Sequence, residues 1–510
     1  MSSLIRSFKK DFLEIVAKQP NAPALIDGKG DKNHVVSYAD LSNLIDRAIS
    51  LLQKKGISAG DTILSLMPNS IETLVLFFAS IKGSYNFAPL PCTASKRELE
   101  RWMLLTKPKI CLTTDLINDS NKEALVSTEI TTLIIDVDTS FKWLPEKVQF
   151  TESDKPSLIY LSTSGTTGEP KAVVIDANVL WSSGYAFSKH HSIINSNLVF
   201  WNYLSMSYLG GLFNLAMIPL CTSGSVVVDE PFSGKTFLQF WPFVERFNIN
   251  TLWLVPTIMK GLITLSARLK PEIALGYKDK IKTCFLGTAP IDLATKQQFT
   301  ELFGIMPLEN FALSETTFVT SEKIDEITNR AENSVGEILP YVDIKFNLVS
   351  DEENAGHSEV YVKSPFLFEG YLQEGGEVKQ LVGADGYLPT GDLGRLGDNN
   401  TLFITGRSRD IIKKGGYFVP LREIEILSQQ HEEVSEAIAV KIEHQFYGET
   451  YILFIKPSNG NRESIETNFN SWLHENLVKY KWPEKVVFVE EFPRTVSGKV
   501  KKHMLLKVGV

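Results

Sequence analysis

The chain has 510 residues, 43% hydrophobic and 22% charged, which is ordinary globular usage at a length that one compact core rarely serves, so two or more domains are expected. A formal net charge of −8 argues against a nucleic-acid partner, which needs clustered positive charge, and leaves open a nucleotide bound locally. Cys92, Cys111, Cys221 and Cys284 are scattered without a CxxC pair, so neither a zinc ribbon nor a disulfide framework is indicated, and reduced, buried thiols of a cytoplasmic protein fit better.

The first residues carry no apolar stretch long enough for a signal peptide. Leu4, Ile5, Phe8, Phe12, Ile15 and Val16 share one helical face. A capping box, Ser37-Tyr38-Ala39-Asp40, opens a second helix through Leu41, Leu44, Ile45, Ala48, Leu51 and Leu52, with Gly56 as its stop. Asn69 and Glu72 mark a third helix start, feeding the apolar run Leu74–Ile81. That run is far short of the ~20 residues of a membrane span, so no transmembrane segment is expected. Short β-rich runs, Ile63–Met67, Ile110–Thr113 and Leu133–Val137, alternate with these helices. The alternation predicts an α/β region with a largely parallel sheet. Leu158–Ser162, Val226–Asp229, Leu252–Val255 and Thr283–Leu286 continue the rhythm as strands.

From about 335 to 405 helical periodicity fades into short strands, Val342–Leu348, Glu359–Val362 and Thr401–Ile404, read as a small β-subdomain. Beyond Arg407, strands at Ile438–Ile442, Tyr451–Ile455 and Val486–Val489 and a helical stripe through Ile465, Phe469, Trp472, Leu473 and Leu477 predict a small α+β domain. The expected division is a large N-terminal domain over 1–406, made of α/β subdomains plus the β-subdomain, and a C-terminal domain over 407–510.

The strongest chemical signal is Ser162-Thr163-Ser164-Gly165-Thr166-Thr167-Gly168-Glu169-Pro170-Lys171, directly after a predicted strand. Its glycines let backbone N–H groups converge on an anion, its hydroxyls add donors, and Lys171 adds a charge for a polyphosphate. The GxxxxGK[ST] spacing of a Walker A loop is absent. A surface turn alone needs neither this density of hydroxyls nor the terminal Pro-Lys.

This loop resembles the signature of the adenylate-forming superfamily: acyl-CoA synthetases, peptide-synthetase adenylation domains and luciferases. Four further segments match in the family's order. In Phe311-Ala312-Leu313-Ser314-Glu315-Thr316-Thr317 the resemblance implies that Phe311 packs on adenine, with Ala312 beside it, that Ser314 contacts phosphate and that Glu315 helps hold Mg²⁺, the hard cation a carboxylate suits. Alone, that segment reads better as a helix-capping Ser and an ordinary surface Glu. Tyr387–Gly394 resembles the element whose carboxylate, here Asp392, accepts from the ribose hydroxyls. Gly406–Asp410 resembles the interdomain hinge: Arg407 would bind ribose or phosphate, and Arg409 stands where the family usually has Asp or Lys at the pivot. Pro493–Val500 resembles the catalytic-lysine loop, with Lys499 reaching the substrate carboxylate and α-phosphate. Gly287-Thr288-Ala289-Pro290 resembles the adenine-side turn. Glu315, Thr163 and Lys499 are the catalytic candidates that follow.

The function implied is an ATP-dependent acid ligase. It joins a carboxylate to AMP with loss of pyrophosphate, then passes the acyl group to a thiol, of coenzyme A or of a carrier protein's phosphopantetheine arm. The C-terminal domain would be a mobile lid, turning between the two steps. Tyr208, Gly210 and Gly211 are assigned by the same resemblance to the acyl pocket, with Tyr208 where many acyl-CoA-forming relatives have His. No acidic residue occurs from Asn195 to Val228, so an α-ammonium would have no counter-charge there, and a small carboxylic acid lacking an α-amino group is expected. The chain runs only eleven residues past Lys499, leaving no room for a fused carrier domain, so the acceptor is expected from outside. An amine acceptor, a luciferase-like oxygenase and a non-enzymatic nucleotide-binding relative are the alternatives.

Overall fold

The computed structural model describes residues 4–507 except 31–33, 129, 148–152, 164–170, 195–196, 267–275, 324–330, 332–333, 349–357, 415–416, 459–461 and 495–499. Side chains of 163, 348, 409, 413, 418, 462–464 and 467 are likewise outside the description. The chain divides into two compact units. The first comprises Met1–Thr328, Leu339–Val342 and Ser364–Gly383; the second comprises Asn329–Ile338, Asp343–Lys363 and Ala384–Val510.

The first unit is mixed α/β, as the alternation of apolar runs predicts. In one of its sheets the strands lie in the order Thr317–Ser321, Pro307–Leu313, Thr283–Leu286, Thr251–Leu254, Val199–Asn202, Ser225–Val228, Pro23–Asp27, Val35–Ser37. Those from Pro307–Leu313 to Pro23–Asp27 pair in parallel, and the two outermost strands turn back antiparallel. The chain runs outward from Val199–Asn202 to Ser225–Val228, then returns to the other side of Val199–Asn202 with Thr251–Leu254 and proceeds away from it. Strand order therefore reverses between Val199–Asn202 and Thr251–Leu254. Such a reversal opens a crevice at the carboxyl ends of the strands, where ligands bind in open α/β sheets.

The second sheet of this unit has the order Val378–Lys379, Gly370–Leu372, Lys171–Asp176, Leu158–Thr163, Asn86–Pro89, Thr62–Leu66, Ile110–Thr113, Thr131–Ile134. Three of its parallel strands are buried on both faces: every residue of Thr62–Leu66, Asn86–Pro89 and Ile110–Thr113 is buried, hence the unbroken apolar runs in the sequence.

The predicted helices form with small shifts that caps explain. The first begins at Phe8, not Leu4, because Ser7 caps it by accepting from Lys10 N. The second spans Tyr38–Lys54, and both arms of its Ser37–Asp40 capping box are made. The third spans Ile71–Lys82, capped by Ser70, and is buried along its whole length, Glu72 and Lys82 included. Among the described residues no helix is long and apolar enough to cross a membrane.

In the second unit, strands Asp343–Leu348, Ser358–Lys363, Leu388–Leu396, Thr401–Arg407 and Ser334–Ile338 pair antiparallel in that order. A further sheet joins Tyr417–Pro420, Ile411–Lys414, Gly448–Pro457 and Val434–His444, with Lys485–Phe488 parallel to Gly448–Pro457. Helix Arg462–Asn476 packs Ile465, Phe469 and Leu473 into a core with Tyr451, Leu453 and Ile455, the stripe read from sequence.

Candidate active site

In the first unit the Ser/Thr-rich loop leaves strand Leu158–Thr163 and returns as Lys171–Asp176, with Thr163 paired to Lys171 across the hairpin. Ser164, Gly165, Thr166, Thr167 and Gly168 lie outside the described residues, as does the Thr163 side chain. Lys171 is exposed, and its Nζ sits 4.9 Å from the centre of the Tyr371 ring. The Tyr371 hydroxyl donates to Glu315 Oε1 at 2.6 Å. One phenol thus joins the phosphate-loop lysine to the carboxylate expected to serve the metal.

Tyr371 was not singled out in the sequence. It arrives on Gly370–Leu372, a three-residue strand antiparallel to Lys171–Asp176, where Tyr371 faces Val173. Gly370 is required there: its φ is +142°, and a Cβ would come within 2.4 Å of the Lys379 carbonyl oxygen. The adjacent backbone ties the same cluster down, since Phe368 N donates to Glu315 O at 2.9 Å and Glu369 N to Val174 O at 2.8 Å. A glycine before an aromatic, in Glu369-Gly370-Tyr371, was the available signal.

Glu315 lies in the turn between strands Pro307–Leu313 and Thr317–Ser321. Phe311 is half-buried and Ala312 exposed near the end of the first strand, and Ser314 begins the turn. Gly287 follows the neighbouring strand Thr283–Leu286, and a Cβ on it would lie 2.8 Å from Asn310 Oδ1. Asn310 is buried and donates to Leu286 O at 2.9 Å, locking the Gly287–Pro290 turn beside Phe311. Thr288 takes φ +83°, a strained value for a β-branched residue, and is exposed. The strand beneath is anchored by a buried ion cluster: Lys296 Nζ lies 2.6 Å from Glu309 Oε2 and 3.6 Å from Glu322 Oε1.

The acyl-pocket candidates lie at the crevice where strand order reverses. Tyr203–Leu209 leaves strand Val199–Asn202 and leads into a π-helix, Gly210–Met217. π-Helical turns occur often at functional sites. The Tyr208 ring covers Gly210, where a Cβ would come within 2.5 Å of it, and Gly211 lies against the Leu204 and Ser205 carbonyl oxygens at 2.6 and 2.5 Å from a Cβ position. Gly211, which faces backbone, is therefore needed for close approach of the loop, whereas at Gly210 the Tyr208 ring would have to move.

In the second unit Asp392 and Arg407 face each other across the Leu388–Leu396 and Thr401–Arg407 strands, with Arg407 Nε 2.8 Å from Asp392 Oδ1. Asp392 is 2% exposed. Gly391 takes φ +72°, its N donates to Glu359 Oε1 at 3.1 Å, and its carbonyl accepts from Ser408 Oγ at 3.2 Å. Two segments quoted separately from the sequence are thus one pair. Arg409 falls in the single turn Ser408–Asp410, its side chain outside the described residues. Lys499, Gly415 and Gly416 also lie outside them.

Among the described residues no group of three or more His, Cys, Asp or Glu side chains could hold a metal ion. The donor set at Glu315 fits Mg²⁺ nonetheless, because Mg²⁺ is commonly held by one or two carboxylates together with substrate phosphates.

The family model for AMP-binding enzymes matches residues 12–372, and that for the AMP-binding enzyme C-terminal domain matches residues 423–499. An oxalate–CoA ligase of Arabidopsis thaliana is 26% identical, over 97% of this chain and 97% of its own. A sulfoacetate–CoA ligase of Cupriavidus necator is 25% identical, over 96% and 95%. The crystal structure of ATP-bound MatB from Rhodopseudomonas palustris shares the fold with a TM-score of 0.84 at 24% identity, over 98% of both chains. The chain belongs to the AMP-binding enzyme family, within the adenylate-forming superfamily that its five motifs resemble.

Proposed function

We propose that this protein is an ATP-dependent acid–thiol ligase: it adenylates a small carboxylic acid lacking an α-amino group, releases pyrophosphate, and transfers the acyl group to coenzyme A. The observation that carries the reading is the Lys171–Tyr371–Glu315 cluster, in the same unit as the Gly287–Pro290 turn and the reversal crevice. A carboxylate is a poor acyl donor because its leaving group would be oxide; linkage to AMP supplies a phosphate instead. The acid attacks the α-phosphorus of ATP and pyrophosphate departs. Both reactants are anions, so the chain must supply positive potential where charge develops. Lys171 and the N–H-rich loop Thr163–Gly168 are assigned to the polyphosphate, and Lys499 to the α-phosphate and the acid's carboxylate. Mg²⁺, when bound at Glu315, would neutralise phosphate charge. Asp392 takes the ribose hydroxyls, with Arg407 orienting its carboxylate. Gly287–Pro290 and Phe311 bracket the adenine.

Coenzyme A is favoured over a carrier-protein arm because the two relatives named above are CoA ligases. Those relatives act on acids without an α-amino group, in keeping with the absence of an acidic residue between Asn195 and Val228. In the second half-reaction the thiol attacks the acyl carbonyl and AMP leaves. Lys499 serves only the first step if the C-terminal residues turn about Arg409 between steps. Lys499→Ala should then abolish acid-dependent pyrophosphate exchange yet still convert a pre-made acyl-adenylate and coenzyme A to thioester. Loss of both activities would refute the alternation. Absence of exchange in the unaltered enzyme across a broad panel of acids would refute the ligase reading itself.

A further inference from the structure

Two buried asparagines grip the π-helix and the loop that leads into it, and no binding or catalytic motif quoted above includes either. Asn69 is 2% exposed and sits just before Ser70, the cap of helix Ile71–Lys82. Its Nδ2 donates to Leu204 O at 2.9 Å, and its Oδ1 accepts from Met206 N at 2.9 Å. One side-chain amide thus serves a carbonyl and the N–H two residues on, as an adjacent β-strand would. Its own backbone is tied down as well, since Lys29 Nζ donates to Asn69 O at 2.5 Å. Asn69 follows strand Thr62–Leu66 of the second sheet, so this amide fastens that sheet to a loop of the first.

Asn202 grips from the other side. It is fully buried at the end of strand Val199–Asn202, and its Nδ2 donates to both Gly211 O at 2.8 Å and Leu215 O at 3.2 Å. These carbonyls lie four residues apart inside the π-helix. Its Oδ1 is buried without a hydrogen-bond partner. An unsatisfied buried polar atom is costly, and one retained in a native site calls for an explanation. Here the explanation is the donor pair, which spans the widened turn. Between the two amides the backbone of Leu204 and Ser205 lies directly on Gly211, and Tyr203 OH donates to Trp253 O at 2.7 Å across the reversal crevice.

We propose that Asn69 and Asn202 are positioning residues for acid recognition: together they fix Tyr208 and the first turn of the π-helix at the crevice, and so set the shape into which the organic part of the acid fits. This rests on the ligase reading above. None of the hydrogen bonds given above runs to a described residue of the nucleotide segments, so their loss should alter the acid rather than ATP.

Asn69→Asp retains the acceptor for Met206 N and replaces the donor to Leu204 O by a second acceptor. Asn202→Leu keeps approximate volume and removes both donors. Hydrogen exchange of the full-length protein should show protection lost by about 10-fold or more over residues 203–217 and little change over 283–290 and 307–321. In pyrophosphate exchange with a panel of mono- and dicarboxylic acids, KM for the acid should rise about 10-fold and the rank order of acids should change, with KM for ATP within about 2-fold of the unaltered enzyme. Unchanged protection over 203–217 overturns the clamp. Altered protection with an unchanged acid KM and rank order overturns its role in recognition and leaves a structural bond only. Absence of exchange by the unaltered enzyme with every acid would instead strike the ligase reading, and the hydrogen-exchange result would still decide the clamp. If Asn202→Leu does not fold, Asn69→Asp carries both measurements.

Discussion

The edge proposed to take the nucleotide and the edge proposed to take the acid both lie at carboxyl ends of strands of the first unit's first sheet, with Lys171 and Tyr371 added from its second sheet, yet they are built differently. At the nucleotide edge the working side chains reach outward: Lys171 and Thr288 are exposed, Phe311 and Glu315 half-buried, and their support is an ion cluster and a phenol. At the acid edge the support is buried amide, Asn69 and Asn202, bonded to backbone rather than to reactive side chains. A triphosphate and a ribose present fixed charges and hydroxyls, so their edge must be lined by particular residue types. An acid's organic part is read by shape, which backbone position sets. Substitutions at the two edges should therefore separate cleanly in kinetics.

The largest separation is expected at Glu315. Glu315→Gln should lower kcat/KM for ATP in pyrophosphate exchange by about 100-fold, the usual scale for losing one group that stabilises transferring charge, without reordering acids. Tyr371→Phe keeps the carboxylate and removes the 2.6 Å bond that orients it. About 1 kcal/mol, or 5- to 10-fold, is expected, again in ATP dependence alone. A change in acid rank order for either variant would erase the distinction between the edges.

The buried Glu72 sharpens the comparison from the acid side. It lies on the helix that Asn69 precedes, its Oε1 accepts from Thr139 N at 2.7 Å, and its Oε2 is buried without a partner. Burial raises its carboxyl above the ordinary value of about 4.3. The folded chain thus holds this proton more tightly than the unfolded one. The associated stability is complete below about pH 4 and is lost as pH climbs through the raised folded value. Glu72→Gln keeps the acceptor for Thr139 N and removes the titration. Its stability relative to the unaltered protein should be least favourable near pH 4 and improve toward pH 8, read from urea midpoints across that range. A difference independent of pH would show that Glu72 keeps its ordinary titration.

Legibility in the sequence followed the same division. Strands buried on both faces announced themselves as apolar runs: Ile110–Thr113 and Thr283–Leu286 have the bounds read from sequence. Helix starts moved by a few residues wherever a Ser cap outranked apolar periodicity, as Ser7 did over Leu4 and Ile5. Lys171, Glu315, Asp392 and Arg407 stood out because the motifs they belong to restrict residue type and spacing, and their assignment to the nucleotide is part of the proposed function. That Asp392 and Arg407 form one cross-strand pair was not visible, since register depends on pairing over fifteen residues of chain. Tyr371 was missed because a three-residue strand carries too little periodicity to be recognised. Asn69 had been read as part of a helix start, and Asn202 drew no notice, because an amide bonded to distant backbone leaves no local pattern.

The smallest effect, at Thr288, concerns strain at the edge proposed for the nucleotide. Thr288 and Thr317 are both β-branched residues at positive φ, +83° and +56°. They differ in what offsets the strain. Thr317 is buried, its Oγ1 donates to Thr316 O at 2.6 Å, and Ser183 Oγ lies 2.8 Å from it. Thr288 is exposed on the turn beside Phe311. Positive φ costs a non-glycine residue about 1–2 kcal/mol, and glycine adds back about 0.5–1 kcal/mol of chain entropy. Thr288→Gly should therefore stabilise the protein by about 0.5–1 kcal/mol, while Thr317→Gly, which also loses buried hydroxyl bonds, should destabilise it by about 1–2 kcal/mol. Urea midpoints would measure both. If Thr288 is held in place to orient the adenine-side turn, the more stable variant will bind ATP more weakly, and its KM for ATP will rise while the acid dependence stays fixed. A more stable Thr288→Gly with unaltered ATP dependence would instead mark the strain as incidental to the turn.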